Sequence, residues 1–125
     1  HDNVFNVNGV GTGFVIIPST GNSTLACALL FATADDRPDQ DPMTVTLEGS
    51  NATQIELLHQ FSSWILIYNG STGIDAIKDS GRQQYGSLQK FSNTIRFTSY
   101  RLLISSLRYG IDAVQYSEAQ ILGYI

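Results

Sequence analysis

Four aspartates fall within seven positions of one predicted loop: Asp35, Asp36, Asp39 and Asp41. Calcium is held in proteins by about six to eight oxygen ligands, so a loop dense in carboxylates has the composition that a calcium site requires. The alternative is a solvated acidic turn, because aspartate side chains hydrogen-bond to their own turns. The spacing does not match a helix-loop-helix calcium site. The loop therefore predicts either structural Ca²⁺ or an acidic turn.

No catalytic set is recognisable in the sequence. Its two histidines are His1, at the terminus, and His59, in an apolar segment, and nucleophile-elbow, phosphate-loop and paired-histidine motifs are absent. Residues 9–13 are rich in glycine, but a predicted strand follows them, whereas a phosphate cradle needs a helix N-terminus. A paired-carboxylate glycosidase would have to use Glu48 or Glu118, both in strand-like motifs typical of structural positions. We therefore expect that the protein is not an enzyme.

Aromatic residues in predicted loops are candidates for sugar binding, because sugar rings stack on aromatic faces. Tyr85 and Tyr109 lie in such loops, and Arg37 and Arg82 could donate hydrogen bonds to sugar hydroxyls. These four residues form the predicted ligand-binding set. For each tyrosine the alternative is packing at the edge of the core. Trp64, at the start of a strand, is expected to be a core residue, with a sugar-stacking platform as the alternative.

Three N-glycosylation sequons are present, at Asn22, Asn51 and Asn69. Each lies at a predicted turn, where a glycan could be accommodated. Chance would supply at least one sequon in a chain so rich in serine, threonine and asparagine. Three at turns give mild support to a secreted glycoprotein.

Composition excludes several classes of partner. The chain has 125 residues, which suits one domain spanning residues 1–125, and it is 42% hydrophobic and 14% charged, which allows a proper core. The net charge of −4, without any basic cluster, argues against nucleic acid. No apolar run reaches the roughly 20 residues that cross a membrane, so membrane insertion is not expected. A single cysteine, Cys27, excludes an internal disulfide and is expected to be a small buried residue, with an intermolecular disulfide as the alternative.

Apolar residues recur with a period of two along most of the chain, which is typical of β-strands. Residues 54–61 are ambiguous, and residues 70–89 predict a long polar loop. About eight short strands separated by turn residues predict an all-β fold, a jelly-roll β-sandwich of antiparallel strands. The strands are expected at residues 14–18, 24–33, 44–48, 64–68, 94–97 and 100–107, with one or two more in 113–125.

Five stretches, taken in order, resemble one family. They are residues 11–19, 33–42, 47–51, 97–102 and 114–123. The second stretch contains Thr-Ala-Asp-Asp and Asp-Pro steps, the third is Leu-Glu-Gly-Ser-Asn, and the resemblance depends on the ordered set of five rather than on any one motif. Together they resemble the discoidin or coagulation-factor type C domains, a galactose-binding-like group that includes many carbohydrate-binding modules. The resemblance implies a jelly-roll sandwich, ligand-binding loops at one end, and extracellular or cell-surface use.

The resemblance also implies a structural Ca²⁺ site. Matched residue by residue, its glutamate would be Glu118 and its loop carboxylate Asp36 or Asp41, whereas Arg101 matches a strand arginine with a structural role. Two departures weaken the match. Only residues 1–8 precede the first motif, so Asp2 would have to replace an aspartate-bearing loop, and residues 52–63 are inserted before the family's tryptophan.

Two functions remain open. The first is a non-catalytic extracellular binding or adhesion module that recognises glycans or surface polymers at its loops. The second is a structural subunit or repeat of a surface filament, layer or matrix. That subunit would assemble through an edge strand or through the apolar N-terminal arm around Val4 and Phe5, with Cys27 as a possible link to a neighbour.

Overall fold

The computed structural model describes residues 2–7, 13–17, 23–34, 40–52, 63–74, 81–82, 84–109 and 118–124. For residues 2–7, 13–14 and 118 it describes the backbone alone. No helix among these residues is long and apolar enough to cross a membrane.

The described part of the chain contains eight strands. They are β1 (Asp2–Val7), β2 (Gly13–Ile16), β3 (Leu25–Ala32), β4 (Pro42–Ser50), β5 (Ile65–Ser71), β6 (Gln89–Lys90), β7 (Ser99–Leu107) and β8 (Glu118–Tyr124).

The strands form two four-stranded sheets in which every neighbouring pair is antiparallel. Sheet A has the strand order β1-β8-β3-β6, and sheet B has the order β2-β7-β4-β5. The longest ladders join β4 to β7 and β3 to β8. The predicted all-β sandwich is therefore confirmed.

The core is built from alternating residues of the central strands. In β4 the side chains of Met43, Val45 and Leu47 are buried, whereas the intervening Thr44 and Thr46 are only partly buried. Successive side chains of a strand point to opposite faces, so this alternation separates the inner face of sheet B from its outer face. The cluster is completed by residues of the other central strands: Leu29 and Phe31 of β3, Leu102 of β7, and Ala119 and Ile121 of β8.

Tyr100 and Phe97 close one end of the core. Their rings meet edge to face, with 6.1 Å between centroids, a favourable geometry for aromatic pairs. The buried Tyr100 hydroxyl donates to the Thr24 carbonyl at 2.7 Å. A Cβ on Gly49 would lie 2.3 Å from the Phe97 ring, so glycine is required there for the ring to pack on the strand.

Several strand predictions differ from the structure. Residues 94–97 were expected to form a strand but are loop, apart from a single bridge between Phe97 and Thr24. The reason is Asn93, whose side chain bonds to the backbone of Ile95 in both directions and supports a local turn instead. The predicted turn at residues 69–70 is part of β5, and β1 and β6 were not expected. The ambiguous segment 54–61 lies outside the described residues.

Replacing Tyr100 with phenylalanine tests the closure of the core. Tyr100→Phe removes one donor from the buried Thr24 carbonyl, which keeps the Phe97 amide at 2.9 Å, so we expect a loss of about 0.5–1.5 kcal/mol in unfolding free energy. Urea unfolding followed by circular dichroism measures it. A loss below about 0.5 kcal/mol would show that the hydroxyl contributes little.

The same residue predicts a pH dependence in alkaline solution. Burial raises the pKa of Tyr100 above its ordinary value of 10.0, so the folded state favours the neutral phenol. This contribution to stability is complete below pH 10 and is lost as the pH rises through the folded-state pKa. The Tyr100→Phe variant should therefore lose less stability than the parent chain between pH 9 and pH 11.

Candidate functional site

Three connections leave the sandwich at the same end. Ala32 lies opposite Glu118, Pro42 lies opposite Leu107, and Ser71 lies opposite Thr44. The β3–β4, β5–β6 and β7–β8 connections therefore meet at one end of the molecule, which we call the loop end. Its described residues are 33–34, 40–41, 72–74, 81–82, 84–88 and 108–109.

A buried carboxylate joins the three connections. Asp41 is fully buried, and both of its oxygens accept hydrogen bonds from Arg82, at 3.1 Å for Oδ1 and 2.9 Å for Oδ2. Oδ2 also accepts from Nη2 of Arg108 at 3.1 Å. We call these residues the Asp41 triad. Each comes from a different connection, so the triad ties residues that are far apart in the sequence.

The two arginines of the triad offset the free-energy cost of burying the Asp41 carboxylate. An unpaired carboxylate out of water costs several kcal/mol or more, whereas bidentate guanidinium contacts offset much of that cost. The backbone adds a further constraint, because the Arg108 amide donates to the Asp41 carbonyl at 2.9 Å. With two arginines and one aspartate, the triad carries a formal charge of +1 within an acidic protein.

Thr33 organises the segment that carries Arg82. Its hydroxyl donates to the Gly81 carbonyl at 2.8 Å and accepts from the Gln84 amide at 3.0 Å, and its own amide donates to the Gln84 carbonyl at 2.9 Å. Since Thr33 is fully buried, these bonds fasten the β5–β6 connection to the end of β3. Tyr85, the next residue, then bridges to Ala32.

Gly73 allows the same connection to turn back on itself. Its φ is +92°, and a Cβ there would lie 1.9 Å from the Ser87 carbonyl oxygen. The Ser87 amide donates to the Gly73 carbonyl at 2.9 Å. Only glycine fits this close approach of two backbone segments.

The loop end presents two exposed aromatic rings. Tyr85 is 53% exposed and Tyr109 is 69% exposed. Tyr109 directly follows Arg108, and Tyr85 lies three residues after Arg82, so both tyrosines sit on segments that the Asp41 triad holds. The structure thus places both predicted tyrosines at the loop end, in exposed positions rather than in the core.

The predicted arginine partners fare differently. The guanidinium of Arg82 is paired with Asp41, and the Arg82 side chain is 23% exposed. Arg37 lies outside the described residues. The prediction of a four-residue sugar-binding set therefore stays a prediction, now with its tyrosines exposed and one of its arginines engaged in an ion pair.

The calcium prediction also stays a prediction. Asp36 lies outside the described residues, and the structure describes only the backbone of Glu118. Asp41 faces two guanidinium groups, and a cation on its oxygens would have to displace them. Among the described residues no group of three histidine, cysteine or acidic side chains could hold a metal ion.

A second ion pair lies on the outer face of sheet B. Glu48 accepts hydrogen bonds from Nε and Nη2 of Arg101, both at 3.0 Å. The Arg101 guanidinium also stacks on Trp64, 4.7 Å from the ring centroid, and Trp64 is buried. Glu48, considered above as a glycosidase acid, is thus held in a bidentate pair, and Arg101 contacts both Glu48 and Trp64.

The sequons occupy different environments. The Asn51 amide donates to the Arg96 carbonyl at 2.9 Å, and its oxygen accepts from the Thr98 amide at 3.0 Å. Asn51 is exposed, but in the folded chain this side chain fastens the loop before β7. Asn69 is exposed in β5, and Asn22 lies outside the described residues. All three glycosylation sites stay predictions.

Sequence reasoning missed Arg108. The available signal was its position. Arg108 directly follows the predicted strand 100–107, and the acidic loop directly precedes the predicted strand 44–48, so both lie at strand ends. The sequence suggests Arg82 as a sugar-binding residue and Asp41 as a calcium ligand. It does not pair them, because nothing in the sequence relates two residues 41 positions apart.

Comparisons with known proteins add no family. No protein-family model matches the chain, and no curated protein matches it significantly. The likeness to discoidin-type domains therefore rests on the five motifs alone.

Removing the charge of Asp41 tests the triad. Asp41→Asn leaves two guanidinium groups without their counter-charge, and we expect a loss of about 3–5 kcal/mol in unfolding free energy. The matched control is Glu48→Gln, which makes the same chemical change in a pair that is partly exposed to water and should cost less. Urea unfolding followed by circular dichroism measures both, and an equal or smaller cost at Asp41 would contradict the account.

Proposed function

We propose that this chain is a non-catalytic structural module that associates with other protein chains in an extracellular or surface assembly. The observation that carries the proposal is the character of sheet B's two edges. Neither β2, with the sequence Gly-Phe-Val-Ile, nor β5, with Ile-Leu-Ile-Tyr-Asn-Gly-Ser, contains a charged residue or a proline. Proteins that remain monomeric commonly place charges or prolines on edge strands to prevent pairing with another chain.

Exposed apolar side chains follow the same two edges. Val15 of β2 is 43% exposed and Ile17, directly after β2, is 60% exposed; Ile65 and Leu66 of β5 are 51% and 58% exposed. By contrast, the edges of sheet A include Asp2 in β1 and Lys90 in β6. Among the described residues β2 and β5 have no neighbour on their outer sides, and apolar groups along such edge strands favour association through them.

The strand orders support a jelly roll. In the orders β1-β8-β3-β6 and β2-β7-β4-β5, every connection between consecutive described strands passes from one sheet to the other, except that between β4 and β5. Eight-stranded double-sheet jelly rolls are used in viral capsid and lectin domains. Both uses depend on binding at a surface rather than on catalysis.

The two ion pairs support the non-catalytic part of the proposal. Asp41 and Glu48 are the acidic side chains that the structure describes, and arginines hold both in bidentate contacts. Neither carboxylate is placed to exchange a proton with a substrate while its oxygens accept those bonds.

Glycan recognition at the loop end is the second candidate. It is favoured by the exposed rings of Tyr85 and Tyr109 on segments that the Asp41 triad fixes. A ring held on a fixed segment can stack on a sugar at a small entropic cost.

Sedimentation velocity over a range of concentrations tests the assembly function. We expect the weight-average sedimentation coefficient to rise with concentration for the parent chain. Leu66→Lys, a charge on the β5 edge, should suppress the rise, whereas the matched control Leu88→Lys, also at an exposed leucine but outside sheet B, should not. A chain that stays monomeric at millimolar concentration would contradict the proposal.

A glycan array with the parent chain and Tyr109→Ala tests the second candidate. Binding that is lost in Tyr109→Ala but kept in Ile95→Ala, a variant at an exposed residue away from the loop end, would support recognition by the tyrosines. Absence of binding across broad glycan classes would remove this candidate.

A further inference from the structure

The two edges of sheet B have opposite strand directions. β2 is antiparallel to β7, β7 is antiparallel to β4, and β4 is antiparallel to β5. Therefore β5 runs antiparallel to β2 across the sheet. If a second copy is placed beside the first in the same orientation, its β2 meets the first copy's β5 as an antiparallel neighbour, and the sheet continues without a change of pattern.

One row of residues crosses all four strands of sheet B. Val15 lies opposite Arg101, Arg101 lies opposite Glu48, and Glu48 lies opposite Leu66. Directly opposed residues of a sheet point to the same face, so this row belongs to the outer face. Its centre is the Arg101–Glu48 ion pair, and each of its ends is an exposed apolar side chain on a strand that has no further neighbour in sheet B among the described residues.

We infer that the partner of sheet B is a second copy of this chain, with β5 of one copy paired antiparallel to β2 of the next and Leu66 opposite Val15. This inference rests on the proposed function and specifies its partner. The chain itself supplies both halves of the contact, because each uncharged edge presents one apolar end of the same row. Pairing covers Leu66 and Val15 and satisfies the outward backbone groups of both strands.

The contact is small for each pair of copies. β2 has four residues, so pairing extends over few hydrogen bonds, and the buried area stays below the roughly 1,600 Å² of a standard interface. A single contact is therefore weak, and association should appear at high protein concentration. The contact is also head to tail, which gives open chains or rings rather than closed two-fold dimers.

Engineered cysteines test the register. In a Cys27→Ala background, chains carrying Val15→Cys are mixed with chains carrying Leu66→Cys under a mild thiol oxidant. Opposed residues at non-hydrogen-bonded positions have Cα atoms about 4.5 Å apart and at hydrogen-bonded positions about 5.5 Å, and both distances suit a disulfide. We expect the mixture to form a disulfide-linked heterodimer at least tenfold faster than either variant alone.

The matched control keeps Val15→Cys and moves the second cysteine to Asn69, an exposed position on the same strand. Three residues along β5 displace it by about 10 Å, so cross-linking should fall to the background rate.

The outcomes separate this inference from the function on which it rests. Rapid cross-linking of Leu66→Cys with itself would overturn the inference in favour of two-fold pairing between β5 strands. Concentration-dependent sedimentation without cross-linking of the mixture would also overturn it, while leaving the assembly function in place. A strictly monomeric chain without cross-links would contradict both.

Discussion

The buried carboxylate of Asp41 is the constraint on which the loop end depends. It lies where three connections of the sandwich meet, and arginines from two of them supply its hydrogen bonds. The two guanidinium groups offset the cost of burying this charge, so the triad couples the three connections to one another. Thr33 and Gly73 extend this order into the β5–β6 connection through backbone contacts. The exposed Tyr85 and Tyr109 lie on the segments that carry Arg82 and Arg108, so these contacts position both rings.

The inner and outer faces of sheet B differ in the side chains that they carry. The inner faces of both sheets form one apolar core, whereas the outer face of sheet B has an ion pair at its centre and apolar residues at its edges. A bidentate pair stacked on Trp64 fixes the middle of that face. Apolar edges without charges leave the strands at its borders able to pair. These two features of sheet B are the basis of the proposed assembly function.

Parts of this structure follow directly from the sequence. The alternation around β4 predicts both the strand and its buried face, because apolar residues at every second position lie on the same side of a β-strand. Local signals fail where longer-range pairing or a side chain competes with them. The Asn-Gly step at residues 69–70 is a common turn, yet pairing with Val45 and Thr46 keeps it in β5. Asn93 has the opposite effect, since its hydrogen bonds remove residues 94–97 from a strand that their alternation predicts. The Asp41 triad could not be predicted from the sequence, because its members become neighbours only when the sandwich forms.

Hydrogen exchange of the edge-strand amides, measured at low and high protein concentration, tests the account most directly. Pairing between copies protects the outward amides of β2 and β5 and leaves those of β1 and β6 unaffected. Among these four edge strands, we therefore expect slower exchange at high concentration in β2 and β5 alone. Protection confined to β1 and β6, or equal exchange at both concentrations, would contradict the claim that this chain assembles through the edges of sheet B.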